Sequence, residues 1–188
     1  MSEITKKALA TSLKKLLSKK ELSKITISNI TDDCGVNRQT FYYHFKDVYD
    51  LLEWIYLNEV IQSMDGKDTY ATWQKGFLSI FEYILANKEF VRNTYHSISR
   101  EYFLKFIYNQ TAQLLMNIID EKSKNLNVKE EDKKFIANFY KYGFVGIVQD
   151  WIEDGMKKDP NSIIEKLNSI IAGNFENALE NLDNMCKM

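Results

Sequence analysis

Punctuation is scarce in this chain. One proline (Pro160) and seven glycines interrupt 188 residues, so few positions stop a helix and long uninterrupted helices are favoured. Cysteine is scarcer than glycine: Cys34 and Cys186 form no disulfide framework, and a reducing compartment is the simpler reading. His96 has no second histidine or cysteine at ligand spacing, which argues against a metal site. No stretch approaches the roughly 18–20 apolar residues of a membrane span. The N-terminus lacks the apolar core of a signal peptide. There is no phosphate-cradling glycine loop, nucleophile elbow or metal-ligand cluster, so nothing favours an enzyme or calls for a cofactor. These absences describe a soluble cytoplasmic protein with no membrane partner.

What the chain does have is apolar and aromatic mass. Hydrophobic residues make up 45% and aromatics 13%, ample for a core, and the aromatics lie mostly beyond the first fifty residues. The net charge of −1 is unevenly spread. Residues 1–50 carry Lys6, Lys7, Lys14, Lys15, Lys19, Lys20, Lys24, Arg38 and Lys46 against Glu3, Glu21, Asp32, Asp33, Asp47 and Asp50, which leaves +3 there and −4 over the remainder. A basic head on an acidic body lets one end approach phosphates while the rest stays solvated.

Helical spacing dominates. Leu9, Leu13, Leu16 and Leu17 mark one apolar face over residues 4–19. Ser28 stands where a cap is expected for a second helix that turns Ile30 and Cys34 inward. Gly35 supplies a tight turn. Asn37 caps a third helix that buries Phe41 and Phe45, and Asp47 opens a fourth with Val48, Leu51, Leu52, Trp54 and Ile55 inward. A loop is expected at Asp65-Gly66-Lys67-Asp68. Helices follow near 69–86, 88–95, 99–121, 129–155 and 161–183. Asn127 with Glu130 has capping-box spacing, and Asp159-Pro160 opens the last segment. Period-2 strand patterns are scarce. The fold class is therefore all-α, with about nine helices: a three-helix head over residues 1–46 and a larger helical body over 47–188.

The third helix carries the most specific signal. Arg38, Gln39, Thr40, Tyr42, Tyr43 and His44 crowd one short run. Arginine can bond guanine bidentately, glutamine can pair with adenine, and the threonine methyl can touch the thymine methyl. Tyrosine hydroxyls, the His44 imidazole and the Lys46 ammonium can hold phosphates and fix the register.

The run Gly35-Val36-Asn37-Arg38-Gln39-Thr40-Phe41-Tyr42-Tyr43-His44-Phe45-Lys46-Asp47, followed by Leu51-Leu52, resembles the DNA-binding signature of TetR-type transcriptional regulators. The resemblance implies a helix-turn-helix head on a ligand-responsive helical body, and a homodimer on a roughly palindromic operator in double-stranded DNA. Carried over by position, Arg38, Gln39 and Tyr42 reach base edges, while Thr40, Tyr43, His44 and Lys46 touch backbone or groove wall, with Asn37 opening the helix. Thr26 and Ser28 stand where the preceding helix's N-terminus meets a phosphate. Thr31 and Cys34 replace alanines usual in the family, Asn37 replaces a common serine, and Gln39 replaces a small residue, so base preference does not transfer.

Residues 139–156, Phe139-Tyr140-Lys141-Tyr142-Gly143-Phe144-Val145-Gly146 through Gly155-Met156, resemble the C-terminal domain of Firmicutes regulators of this family. The resemblance implies dimerisation through the last two helices as a four-helix interface. Leu51-Leu52-Glu53-Trp54-Ile55 is similar to the dihydroxyacetone kinase regulator subgroup, some members of which activate through a partner protein. Two readings follow. One is a repressor released by an unknown small-molecule effector, with Phe77, Phe81, Tyr102, Phe106, Phe139 and Tyr142 as candidate effector-binding residues. The other is an activator controlled by a protein partner.

Overall fold

The computed structural model describes residues 2–64, 69–96 and 100–186. The loop expected at 65–68 and the thiol of Cys186 lie outside what it describes. Among the described residues every regular element is helical: α1 Ser2–Leu17, a 3-10 turn Leu22–Lys24, α2 Ile27–Cys34, α3 Arg38–His44, α4 Val48–Met64, α5 Trp73–Ala86, α6 Lys88–Tyr95, α7 Arg100–Lys122, α8 Glu130–Glu153, α9 Pro160–Ile171 and α10 Asn174–Cys186. The single helix expected over 161–183 is two. Gly173 adopts φ 78° between them, a left-handed conformation that glycine takes at little cost and that ends α9.

The chain forms two compact units, residues 1–59 with 86–106, and residues 60–85 with 107–188. In the first, α1 packs on α2, α3 and α6. Leu9, Leu13 and Leu17 of α1 are fully buried, as their spacing predicts, and Leu16 is half-buried. Ile30, Phe41 and Phe45 close this core from α2 and α3. An alanine at Phe41 would cost about 3–5 kcal/mol through lost burial and the cavity left behind. On α4, Leu51, Leu52 and Ile55 are buried as expected, while Val48 and Trp54 are half-buried. Tyr56 is fully buried as well, stacked on Phe106 with ring centroids 5.5 Å apart.

The second unit is built on aromatic packing between α5 and α8. Phe77 lies 3.8 Å and Phe81 5.9 Å from Phe144 between ring centroids, and Phe81 meets Trp151 edge-on at 4.9 Å. The Trp151 indole donates to the Lys158 carbonyl at 2.9 Å, which satisfies its one polar atom. α8 stops in a Schellman motif: Met156 N donates to Trp151 O at 2.8 Å and Gly155 N to Ile152 O at 3.0 Å, with Gly155 at φ 79°. Asp159 caps α9 by accepting from Asn161 N at 3.2 Å, with Pro160 in the first turn. The capping box expected from Asn127 and Glu130 does not form. Lys129 precedes α8 with no side-chain cap, and the Asn127 amide donates to buried Asp183 at 2.8 Å. No described helix is long and apolar enough to cross a membrane.

Candidate nucleic-acid interface

The interface is assembled from three short stretches: the start of α2, the turn at Gly35 and α3. Thr26, not Ser28, caps α2. Its hydroxyl accepts from Asn29 N at 3.2 Å, and the Asn29 side chain accepts from Thr26 N at 3.0 Å. This reciprocal box leaves the amides of Ile27 and Ser28 at the helix start without intrahelical acceptors. Ser28 is half-buried at the second helical position, and Thr26 is exposed. At the other end of α2, Gly35 sits at φ 70° and Val36 N reaches back to Thr31 O at 3.0 Å. That turn sets the direction in which α3 departs.

Asn37 then caps α3, its side-chain oxygen accepting from Thr40 N at 2.7 Å and from the Thr40 hydroxyl at 2.9 Å. These two bonds fix the start of the helix. Phe41 and Phe45 point inward one turn apart. Arg38, Gln39, Tyr42, Tyr43 and Lys46 are exposed, with Tyr42 at 54% and Tyr43 at 82%. His44 is half-buried, edge-on to Tyr43 at 4.9 Å. The outward side chains of the run Asn37–Lys46 include two full cations and no carboxylate. The nearest acids in sequence are engaged in starting α4. Asp47 accepts from the amides of Tyr49 and Asp50 at 2.9 Å each, and Asp50 accepts from Lys46 N at 2.8 Å. The result is a short convex rod bearing hydrogen-bond donors, with no negative charge of its own to repel a phosphate.

α1 backs this rod. The buried Ser12 hydroxyl donates to Ile30 O at 2.9 Å, and Lys15 pairs with Asp33 at 2.6 Å. Hydrogen bonds from Lys15 and Ser12 hold the Asp33 carboxyl below the usual carboxylate range. Cys34 is half-buried, and burial pushes its thiol up, away from the thiolate that a redox switch needs. Lys6, Lys14, Lys15 and Lys24 are engaged within the protein, on Trp54, Phe90, Asp33 and Glu21 respectively.

Residues 11–55 match the family described as bacterial regulatory proteins, tetR family. Residues 71–173 match a transcriptional regulator C-terminal region of the same family. The chain belongs to the tetR family. It is 28% identical over 156 residues to the HTH-type dhaKLM operon transcriptional activator DhaS of Lactococcus lactis subsp. lactis (strain IL1403), covering 82% of each chain. A solved structure of a dihydroxyacetone kinase operon activator DhaS superposes with a TM-score of 0.69 at 26% identity, over 95% of this chain and 98% of that one. NalD, the secondary repressor of the MexAB-OprM multidrug efflux pump in Pseudomonas aeruginosa, shares the fold, with a TM-score of 0.61 at 17% identity over 90% of this chain and 95% of its own. This tetR-family chain is therefore a transcriptional regulator.

The six candidate effector residues fall in three settings. Tyr102 and Phe106 belong to the first unit, stacked on Tyr49 and Tyr56. Phe77 and Phe81 are buried in the second unit against Phe144. Phe139 and Tyr142 do not line an interior: they stand on the outer face of α8, 69% and 60% exposed, with Phe135 one turn before them at 72%. Beside Phe77, the void among Tyr70, Trp73, Leu115, Ile118, Ile171 and Phe175 measures about 10 Å3, room for one water at most. Asn29 is a further site residue that the sequence expectations lack; its spacing from Thr26 matches a capping box with asparagine in the place of glutamate or glutamine. Phe139 and Tyr142, expected to bind an effector, stand instead on the outward stripe of α8, because aromatic residues occupy both faces of that helix.

Proposed function

We propose that this regulator is a homodimer that reads a roughly palindromic DNA site with α3 in the major groove. Arg38, Gln39 and Tyr42 face base edges. Thr40, Tyr43, His44 and Lys46 hold the backbone, Asn37 fixes the start of the helix, and the α2 start at Thr26 and Ser28 meets a phosphate. The observation that carries this reading is the outward, carboxylate-free face of α3 on a rigidly capped helix-turn-helix. Half-sites one turn apart place the two recognition helices about 34 Å apart along B-DNA. Selection from a random duplex library by the purified protein tests it. An enriched sequence with two-fold symmetry is expected; recovery of no preferred sequence would refute sequence-specific binding.

The dimer forms through the outer faces of the C-terminal helices. Gly143 and Gly146 lie on the same side of α8 as Phe139 and Tyr142, and a Cβ added at either would meet nothing within 4 Å. Glycine in a helix interior costs about 1 kcal/mol relative to alanine, and packing within one protomer gives no reason for it. Close approach of a helix from a second copy gives one. Exposed Ile170 adds apolar surface in a groove of about 590 Å3 with Ile147, Trp151 and Leu167.

Two control modes suit this frame. In the first, a small molecule in the body releases a repressor by moving the two heads out of register. In the second, a protein partner controls an activator. The second draws support from the DhaS relatives, which are named as activators, and from the tight packing beside Phe77. Melting-temperature shifts with small metabolites support the first mode. A defined partner that alters DNA occupancy, with no metabolite shift, supports the second.

A further inference from the structure

We propose that Asn93 is a positioning residue for DNA binding: it holds the C-terminal end of α1, and through α1 the whole helix-turn-helix, against α6. The proposal rests on the DNA-binding reading above and adds a residue from outside the predicted head. An α-helix leaves its last four carbonyls without intrahelical donors. At α1 three of them are met locally. Lys14 O accepts from Ser18 N at 3.0 Å, Lys15 O from the Ser18 hydroxyl at 2.8 Å, and Leu16 O from Lys19 N and Lys20 N at 3.0 Å each. The fourth, Leu17 O, accepts from the side-chain amide of Asn93 on α6, 76 residues later.

Asn93 does not act from a loose surface helix. Its two successors on α6 fasten that turn to two further helices. The Thr94 hydroxyl shares a buried hydrogen bond with the Tyr56 hydroxyl of α4. The Tyr95 hydroxyl accepts from Arg100 Nη2 at the start of α7, at 2.6 Å. Successive residues on a helix project about 100° apart, so one turn of α6 reaches three neighbours. One turn earlier, the Lys14 ammonium lies 5.7 Å above the Phe90 ring. On the other side of α1, Ser12 and Lys15 fasten α2 through Ile30 O and Asp33. The orientation of α1 is thus passed directly to α2, and the Gly35 turn passes it to α3. The side-chain amide is what the position requires: aspartate offers no donor to a carbonyl, and leucine keeps the shape without the bond.

The test uses the full-length protein and the tightest duplex that the unsubstituted protein selects from a random library. Asn93→Leu and Asn93→Asp are each expected to raise the Kd for that duplex about tenfold. The fraction of protein active for binding and the salt slope stay unchanged, because the phosphate contacts themselves are intact. Amide exchange across residues 14–25 quickens while that of α8 does not. Arg92→Ala, an exposed neighbour, leaves all of these unchanged. Unaltered Kd and exchange in both Asn93 variants would overturn the proposal. So would a reduced active fraction whose folded molecules bind with the original Kd, since that marks a general stabilising role. If the unsubstituted protein selects no duplex, the DNA-binding reading fails, and exchange at residues 14–25 alone decides whether Asn93 holds α1.

Discussion

Among the described residues two helices expose aromatic rings, and they do so in opposite company. α3 presents Tyr42 and Tyr43 at 54% and 82% exposure, and α8 presents Phe135, Phe139 and Tyr142 at 72%, 69% and 60%. On α3 both rings end in hydroxyls and stand among Arg38, Gln39 and Lys46. On α8 two of the three are bare phenyl rings, and the stripe runs on into Gly143 and Gly146. Covering an exposed ring removes about the same apolar area from water wherever it sits. Its neighbours decide what can cover it. Donors and cations suit a phosphate-bearing duplex, which supplies acceptors and negative charge. Phenyl rings beside missing side chains suit a flat, close-packed protein surface.

The largest effect is expected from filling the glycine stripe. With open space over both Cβ positions in the protomer, Gly143→Leu with Gly146→Leu should leave each protomer folded and its helix favoured by propensity. At a helix-packed dimer interface the same change overpacks, at about 1–3 kcal/mol per site. Sedimentation should show monomers at concentrations where the unsubstituted protein is dimeric. A double variant that remains dimeric would place the interface elsewhere and remove the contrast between the two helices.

Arg38→Ala comes next and works on α3 alone. Loss of about 1–3 kcal/mol in operator affinity is expected, with relaxed preference at one base position and an unaltered dimer. Equal weakening on every sequence would reassign Arg38 to the backbone. Gly35→Ala addresses the turn. No atom obstructs the new Cβ, but φ of 70° strains any L side chain, so about 1–2 kcal/mol of stability should go without any direct loss of a DNA contact. Lys46→Ala should lower affinity for all duplexes alike and flatten the salt slope by about one unit.

The two helices also differ in how far the sequence spoke for them. α3 was legible because its signals are local. Asn37 caps it, Phe41 and Phe45 alternate inward with helical period, and the polar residues take the remaining face. The resemblance to a known signature only sharpened that. α8 was not legible. Its outward and inward faces both carry aromatics, so Phe139 and Tyr142 read as core beside Phe144 and Trp151. Elsewhere, tertiary partners overrode local patterns. Asn127 has capping-box spacing to Glu130, but its backbone is taken by Asp183, 56 residues away. Nothing near Asn93 in sequence announces that its amide ends a helix completed at Leu17. The break at Gly173 was masked because apolar residues, from Ile170 and Ile171 to Phe175, continue across it.

The smallest predicted effect separates the two units by acid. In the head, Asp33 is held low by hydrogen bonds from Lys15 and Ser12 at an exposed site. In the body, burial pushes the Glu176 carboxyl up, but the Lys122 ammonium at 2.8 Å, the Tyr70 hydroxyl and a backbone hydrogen bond together outweigh it and hold the group below its ordinary 4.5. A carboxylate depressed in the folded state contributes stability above its unfolded pKa and loses it as pH falls through the folded one. Both ties therefore weaken on acidification, Glu176 from the higher starting value. Melting followed from neutral pH to about pH 3 should show a decline, of which the Glu176–Lys122 pair contributes no more than about 1 kcal/mol. Glu176→Gln should lower stability at neutral pH and flatten that part of the profile, with α3 untouched. If Glu176→Gln instead left the acid limb unchanged, the tie between α7 and α10 would be a surface contact without energetic weight.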